Sequence, residues 1–264
     1  ITAPWNASTV GPKRKHEWIQ YSFADFRVVR AALGGTINDI VLTVATESAA
    51  RYLKAHGERV DGQYMRLMCP VSVRRENESG ELGNRVSAMY PTLPAWTMDV
   101  GARLESVRTE TARLKANQEP QALELLMETN AGATPPVAMG QTLLVGTPFD
   151  PTTFLARNPP PVPPAIGPRL PLVGFNFTCT NVPGVQVPQY IAGRKIIRVL
   201  GTLMLSGTLG YGVAVVSYNQ QLYFNLTSDP RLLPDLELMR HGIEACFGEL
   251  LELAAATNPT AVRG

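Results

Sequence analysis

The stretch Gly34-Gly35-Thr36-Ile37-Asn38-Asp39 opens the helix on which the rest of the assignment is built. Two glycines loosen the backbone, Thr36 stands where an N-cap belongs, and Asp39 follows three residues later, the spacing of a capping box. Beyond the cap, apolar residues recur at helical spacing and predict a core helix that ends at Gly57: Ile37, Ile40, Val41, Val44, Ala45, Ala49 and Tyr52.

Asn38 and Asp39 place an amide and a carboxylate side by side at the positive end of this helix. In one interpretation both residues only cap the helix. In the other, Asn38 projects from the helix end toward a reacting oxygen. The residues alone leave both interpretations open.

Composition narrows the class of protein. The chain has 264 residues, 45% of them hydrophobic and 17% charged, which is typical of a globular protein. No stretch has the composition of a linker that would divide it. The net charge of +2 does not favour nucleic-acid binding. The one tight basic run, Lys13-Arg14-Lys15, predicts a solvated surface, with contact with anionic lipid as the alternative.

Cysteine usage and hydropathy indicate where the protein works. Cys69, Cys179 and Cys246 are odd in number and far apart, so we expect reduced, buried thiols and a cytoplasmic location. Residues 199–228 carry no charge and are long enough to cross a bilayer. Glycines and amides interrupt them, however, and a pair of buried strands is the better interpretation.

The remaining pattern mixes strands and helices without strict alternation. Residues 1–16 are expected to form an irregular lead-in. Strands are predicted at residues 19–23, 67–73, 86–90, 175–180 and 196–200, and a hairpin at 213–218 and 222–226 that turns at Asn219-Gln220. Helices are predicted at residues 25–33, after Asp99, near Pro120, near Pro135-Pro136, and from Pro234-Asp235 onward. The proline-rich residues 158–171 predict an extended loop. The fold class is therefore α/β, with a mixed β-sheet flanked by helices.

No self-contained catalytic motif is found. The sequence has no GxSxG motif, no phosphate-binding loop and no cluster with metal-ligand spacing. His56-Gly57 and the following residues to Gly62 superficially resemble a histidine-containing acyltransferase signature, but they hold a single histidine and one residue too many before Asp61. The residues indicate half of an active site, or a binding module.

A set of short motifs nevertheless resembles bacterial wax ester synthase/diacylglycerol acyltransferases over nearly the whole chain. The motifs occur in the order and rough spacing of that family: Gly35–Leu42, Pro70–Arg74, Leu82–Ser87, Asn181–Gly184, Val216–Tyr218 and Pro234-Asp235. Each motif is weak alone, and the set together is specific.

The resemblance implies one half of a chloramphenicol acetyltransferase-like fold, in which two similar α/β halves flank a tunnel where acyl-CoA and an alcohol meet. In the family, HHxxxDG lies in the N-terminal half, and its second histidine takes the proton from the alcohol. That motif is not on this chain, so residues 1–264 resemble the C-terminal domain, and the isolated chain is expected to be inactive.

The resemblance also implies the substrates and partners. Acyl-CoA would be a substrate, no cofactor would be covalently bound, and no metal would be needed. The partners would be the N-terminal HHxxxDG domain and a long-chain alcohol or diacylglycerol, with wax esters or triacylglycerol as products and no nucleic acid. The location would be cytoplasmic, with peripheral contact with the inner membrane or lipid inclusions as a variant.

The resemblance assigns roles to named residues. Asn38 would support the active site, with Thr36 and Asp39 structural. The tunnel would be lined by Ser72, Arg74, Asn84, Arg85, Asn181, Pro183, Gly184 and Ser217. Alternatives stay open: Arg74 suits a structural ion pair, and the segments at Asn84 and Asn181 suit plain turns. Val185 departs from the family, which often has proline there.

Two other functions compete with this hypothesis. The first is a non-catalytic lipid- or acyl-binding module that kept the fold. The second is a condensation-type enzyme of the same superfamily, whose partner would be a carrier protein.

Overall fold

A mixed seven-stranded sheet forms the centre of the molecule. The computed structural model describes residues 1–72, 86–117 and 174–257, with the side chains of residues 71, 72, 86 and 87 excepted. The strands are β1 (Lys15–Ser22), β2 (Tyr64–Ser72), β3 (Val86–Met89), β4 (Thr92–Pro94), β5 (Phe177–Val182), β8 (Tyr211–Tyr218) and β9 (Gln221–Ser228). Their order in the sheet is β1-β9-β8-β5-β2-β3, with β4 also paired to β2. The predicted fold class, a mixed sheet flanked by helices, is confirmed.

Strand direction sets the geometry of the sheet. β2 pairs parallel to β5, and β5 pairs parallel to β8. β9 pairs antiparallel to both β8 and β1, so β1 runs in the same direction as β8. β1, β2, β5 and β8 therefore all end at one edge of the sheet, which we call the carboxyl edge.

Four helices pack against one face of this sheet. They are α1 (Phe23–Leu33), α2 (Ile37–Ala55), α3 (Val100–Ala116) and α4 (Leu236–Thr257). Phe26 of α1 lies between Phe224 of β9 and Phe247 of α4, with ring centroids 6.0 and 4.3 Å away. α2 is apolar on nearly every side and is buried between its neighbours, as expected of a central helix.

The lead-in is more ordered than predicted. A 3₁₀ turn at Pro4–Asn6 places Trp5 fully inside the core, where its indole Nε1 donates to the carbonyl of Asn176 at 2.9 Å. β1 begins at Lys15, four residues earlier than predicted, because the end of β9 continues the ladder up to Ser228. Of the basic run, Lys15 pairs with Glu237 at 2.6 Å, so the run is not wholly solvated.

The predicted strand at residues 196–200 is wrong. A short hairpin, β6 (Tyr190–Ile191) with β7 (Arg194–Lys195), precedes this segment, and residues 196–205 then cross the sheet face opposite the helices without forming a ladder. Side chains hold their carbonyls instead: the Tyr223 hydroxyl donates to Ile197 O at 3.3 Å, and Asn225 Nδ2 donates to Gly201 O at 2.6 Å. The apolar residues of this segment therefore lie on the sheet rather than within it.

The other predicted elements are present, or lie outside the described residues. The hairpin turning at Asn219-Gln220, the helix capped by Asp99 and the helix after Pro234-Asp235 are confirmed. The helices near Pro120 and Pro135-Pro136 and the proline-rich loop fall in the part of the chain that is not described. Among the described helices, none alone has the length and apolarity needed to cross a bilayer; only α1 and α2 taken together, bent by 96°, meet that test.

Candidate active site

The beginning of α2 lies at the carboxyl edge. The other end of the helix is fixed near the start of β8, because the Tyr52 ring lies 5.9 Å from Trp5, and Trp5 lies 5.7 Å from Tyr211. The 19 residues of α2 span about 28 Å, close to the length of an eight-residue strand. The Asn38 end of α2 is therefore at the edge where β5 and β8 end.

Asp39 is committed to structure at this helix end. Its carboxylate accepts hydrogen bonds from Thr36 N, Thr36 Oγ1 and Thr111 Oγ1 of α3, each at 2.8 Å. The Asp39 amide donates to Thr36 Oγ1 at 3.1 Å, which completes the predicted capping box. With only 4% of its surface exposed, Asp39 joins α2 to α3 as well as capping α2.

Asn38 takes no part in this cap. Its side chain is half-buried and makes no hydrogen bond with any residue that the structure describes. Capping is complete without it, so capping does not explain the amide. Its position beside the positive end of α2 suits a donor to a developing negative charge.

Asn181 and Ser217 lie near the ends of two neighbouring parallel strands. Asn181 pairs with Val215, so its side chain lies on the same face of the sheet as Val215 and Ser217. This is the face that carries the helices, because Tyr211, Val213 and Val215 alternate along it and are buried in the core. Two of the predicted tunnel-lining residues thus lie on the helix-bearing face, toward the end of the sheet at which α2 begins.

The turn after β5 is built around Gly184. Its amide donates to Ser217 Oγ at 3.0 Å. A Cβ at Gly184 would lie 2.1 Å from the carbonyl oxygen of Ser217, so no larger residue fits without moving the strand. Pro183 is exposed in the same turn. Val185, which stands where the family often has proline, accepts from Asn219 N at 2.9 Å through its carbonyl.

Sequence reasoning missed Gln186, which holds this turn against the β8–β9 hairpin. Its Nε2 donates to Ser217 Oγ at 2.8 Å and to Gly184 O at 2.9 Å, and its Oε1 accepts from Gln220 N at 3.1 Å. Gln220 has a left-handed backbone, φ 60°, where glycine is usual. The available signal was Gln220 itself. A glutamine at a hairpin position that usually holds glycine indicates that its side chain makes a contact, and here it accepts from Arg27 at 2.6 Å.

Four of the predicted site residues were not placed. The backbone of Ser72 ends β2 at the carboxyl edge, but its side chain is outside the description, and so are Arg74, Asn84 and Arg85. For these residues the tunnel-lining role stays a prediction.

None of the three histidines lies at the carboxyl edge. His16 is near the start of β1, where Nδ1 is 3.2 Å from Thr227 Oγ1. His56 follows the last residue of α2, with Nε2 3.4 Å from Asp235, and His241 is in the first turns of α4. A histidine base would have to come from outside this chain.

The cysteines are not candidate nucleophiles. All three are free and buried, as predicted. Burial raises the pKa of Cys179 and that of Cys246 to about 12, and it raises the pKa of Cys69 well above its usual value. They remain protonated at neutral pH, and only the thiolate is reactive. Within the described ranges, no group of three His, Cys, Asp or Glu side chains is placed to hold a metal ion.

Known proteins resemble this chain in sequence. A family model described as the WS/DGAT C-terminal domain matches residues 82–251. A probable diacylglycerol O-acyltransferase, tgs1 of Mycobacterium tuberculosis, is 29% identical over 268 residues, which cover 100% of this chain and 53% of that protein. The chain thus spans about half the length of the curated relatives it matches.

Solved structures share the fold. The wax ester synthase/diacylglycerol acyltransferase of Marinobacter aquaeolei VT8 superposes with a TM-score of 0.63 at 21% identity, over 93% of this chain and 50% of that one. The trichothecene 15-O-acetyltransferase TRI3 of Fusarium sporotrichioides superposes with a TM-score of 0.54 at 11% identity, over 92% of this chain and 48% of that one. The described residues therefore have the fold of one half of an acyltransferase of the chloramphenicol acetyltransferase-like superfamily.

Proposed function

Since the chain belongs to the wax ester synthase/diacylglycerol acyltransferase family, as its C-terminal domain, we propose that it forms one wall of a tunnel in which acyl-CoA meets a diacylglycerol or a long-chain alcohol. The reaction would be O-acyl transfer, with triacylglycerol or wax ester as the product. Acyl-CoA enters as a substrate, and the chemistry needs no covalently bound cofactor.

The observation that carries this proposal is the set of side chains at the carboxyl edge. Asn38, Asn181 and Ser217 come from three elements and lie toward the same end of the helix-bearing face. Amides and hydroxyls donate hydrogen bonds to a reacting oxygen, but they do not remove a proton at neutral pH. This wall would therefore bind and stabilise, and the proton would be taken by a base on the other wall.

The other wall would be the N-terminal half of the same protein, and the exposed apolar residues support a place for it to dock. Eight of the eleven large apolar side chains exposed in the described structure lie between residues 182 and 204: Val182, Val185, Val187, Tyr190, Ile191, Ile197, Leu200 and Met204. Five of these side chains lie in residues 185–198, which include the hairpin β6–β7 and which we call the exposed arm. Exposed apolar side chains clustered in one segment are typical of a protein interface.

The base of the exposed arm is fixed at the carboxyl edge. The Tyr218 hydroxyl accepts from Gln189 N at 2.8 Å and donates to Ile196 O at 2.9 Å, so one side chain ties both sides of the arm to the end of β8. A half that docks on the arm would therefore lie beside the strand end that carries Ser217.

The test compares Asn38→Ala with Asp39→Asn in the full-length protein that carries this chain. If the Asn38 amide stabilises a reacting oxygen, its removal should lower kcat for acyl transfer by ~10²–10³-fold with little change in melting temperature. Asp39→Asn should chiefly lower stability, by ~1 kcal/mol or more, because it weakens the cap and the bond to Thr111. Unchanged turnover in a folded Asn38→Ala variant would assign the residue to structure alone.

A non-catalytic lipid-binding module is the alternative, and the same experiment separates it. If the unmodified full-length protein binds acyl-CoA but transfers no acyl group to either acceptor, the binding module is the correct interpretation.

A further inference from the structure

The hydrogen bonds around Ser217 fix the direction of its hydroxyl hydrogen. Ser217 Oγ accepts from Gly184 N at 3.0 Å and from Gln186 Nε2 at 2.8 Å. A serine hydroxyl has two lone pairs and one hydrogen. Both lone pairs are occupied, so the O–H hydrogen must point away from both nitrogens. It has no acceptor among the residues that the structure describes.

The orientation of the Gln186 amide is itself determined. The backbone amide of Gln220 can only donate, and it lies 3.1 Å from the atom assigned as Gln186 Oε1. The other end of the carboxamide, which faces Ser217 and the carbonyl of Gly184, must therefore be the NH₂ group. If the amide were rotated by 180°, its NH₂ group would face the backbone donor of Gln220, and its oxygen would face the carbonyl oxygen of Gly184. Neither contact could then be a hydrogen bond.

The surroundings strengthen this donor. Ser217 is 4% exposed, so little water competes for the hydrogen. A donor that is oriented in advance in a poorly solvated site stabilises charge on an acceptor much more than the same group does in water.

We propose that the Ser217 hydroxyl donates to a carbonyl oxygen of the substrate, and that Gln186 is the positioning residue that keeps it a donor. The proposal rests on the proposed acyltransferase function. The carbonyl belongs either to the acyl group carried by CoA or to an ester of diacylglycerol, since both present the same acceptor.

Gln186→Glu is the sharpest variant for testing this. A carboxylate accepts and does not donate, so the Ser217 hydrogen should turn toward it and be lost to the substrate. Gln189→Glu is the matched control: it is the same substitution in the same arm, and among the described residues the Gln189 side chain bonds only to the carbonyls of Val187 and Pro188, at 3.4 and 3.3 Å.

The measurement is steady-state acyl transfer by the full-length protein, with diacylglycerol and with a long-chain alcohol as acceptors. Ser217→Ala and Gln186→Glu should each lower kcat by ~10²-fold, and the double variant should be no slower than Ser217→Ala, because both remove one donor. Gln189→Glu should keep the original kcat. A loss with both acceptors assigns the contact to the acyl group, and a loss with diacylglycerol alone assigns it to the acceptor ester.

Melting temperatures separate this proposal from a structural role and from failure of the proposed function. If Ser217→Ala is poorly folded, Ser217→Cys keeps the shape while greatly weakening the donor, and it should show the same loss of kcat. The proposal is overturned if folded Ser217→Ala and Ser217→Cys turn over at the original rate, or if Gln186→Glu and Gln189→Glu slow the enzyme equally. Absence of acyl transfer by the unmodified protein would instead refute the proposed function.

Discussion

At the scale of single residues, the ion pair between Glu47 and Arg103 carries much of the contact between α2 and α3. Arg103 Nε donates to Glu47 Oε2 at 2.9 Å, and both side chains are almost fully buried. The remaining guanidinium nitrogens donate to the carbonyls of Pro94 and Trp96. Burial lowers the pKa of Arg103 and the nearby Glu47 carboxylate opposes that shift, so the charge depends on its partner.

We expect Glu47→Gln to be strongly destabilising. Removing the carboxylate charge leaves Arg103 buried without a counter-charge, which typically costs ~3–5 kcal/mol of unfolding free energy. Glu249→Gln is the control: Arg51 pairs with Glu47 at 3.1 Å and with Glu249 at 2.7 Å, but the Glu249 side chain is 44% exposed, so this variant should cost ~1 kcal/mol or less. Urea unfolding of both variants measures the difference, and equal losses would contradict the assignment.

Residue-level prediction succeeded where the partners are close in sequence. Thr36 and Asp39 are three residues apart, and capping has a fixed spacing, so the capping box was visible in the sequence. Three other contacts were not visible in the sequence: Thr111 with Asp39, Arg103 with Glu47, and Gln186 with Ser217. The two residues of each pair are far apart along the chain and meet only through the packing of helices and strands.

At the scale of elements, α2 and α4 approach closely because Gly242 faces Ser48. Ser48 Oγ donates to the carbonyl of Met239 at 2.6 Å. A Cβ at Gly242 would lie 2.7 Å from Ser48 Oγ and 3.1 Å from Ser48 Cα, inside normal contact distance. The missing side chain is thus what lets the central helix lie against the last one.

Two glycines of α4 should respond oppositely to the same substitution. Gly242→Ala should lower stability by ~1–3 kcal/mol, since the helices must separate or the Ser48 bond must break. Gly248→Ala meets nothing within 4 Å and should raise stability by up to ~1 kcal/mol through helix propensity alone. Thermal unfolding of both variants measures the signs, and stabilisation by Gly242→Ala would show that the helices are not in close contact there.

Element prediction was reliable for amphipathic patterns and failed for exposed or short segments. β1 and α4 each bury one consistent side, and α2, β5 and the β8–β9 hairpin are apolar and largely buried along their length, so all of them are visible in the sequence. Residues 196–200 are also mostly apolar but lie across the sheet, where the side chains of Tyr218, Tyr223 and Asn225 bond to carbonyls of residues 196–201. The three-residue β4 pairs only with the start of β2 and is too short to show a period.

At the scale of the whole molecule, the chain presents hydrogen-bond donors at one edge and an apolar arm beside them. Among the described residues, the apolar core on the helix-bearing face includes no side chain of the arm. Apolar side chains in the arm that are up to 78% exposed are costly to leave in water. Both features are accounted for if a second half of similar size covers the arm and adds the proton acceptor.

Acyl transfer by the 264-residue chain compared with the full-length protein is the measurement that tests this account most directly. Equal concentrations of each would be incubated with acyl-CoA and diacylglycerol, and ester formation followed over time. Loss of a general base alone typically slows such reactions by ~10²–10⁴-fold, so the full-length protein should form triacylglycerol while the chain alone stays near the rate without protein. Ester formation by the chain at the full-length rate would contradict the account, because it would place the base on these 264 residues.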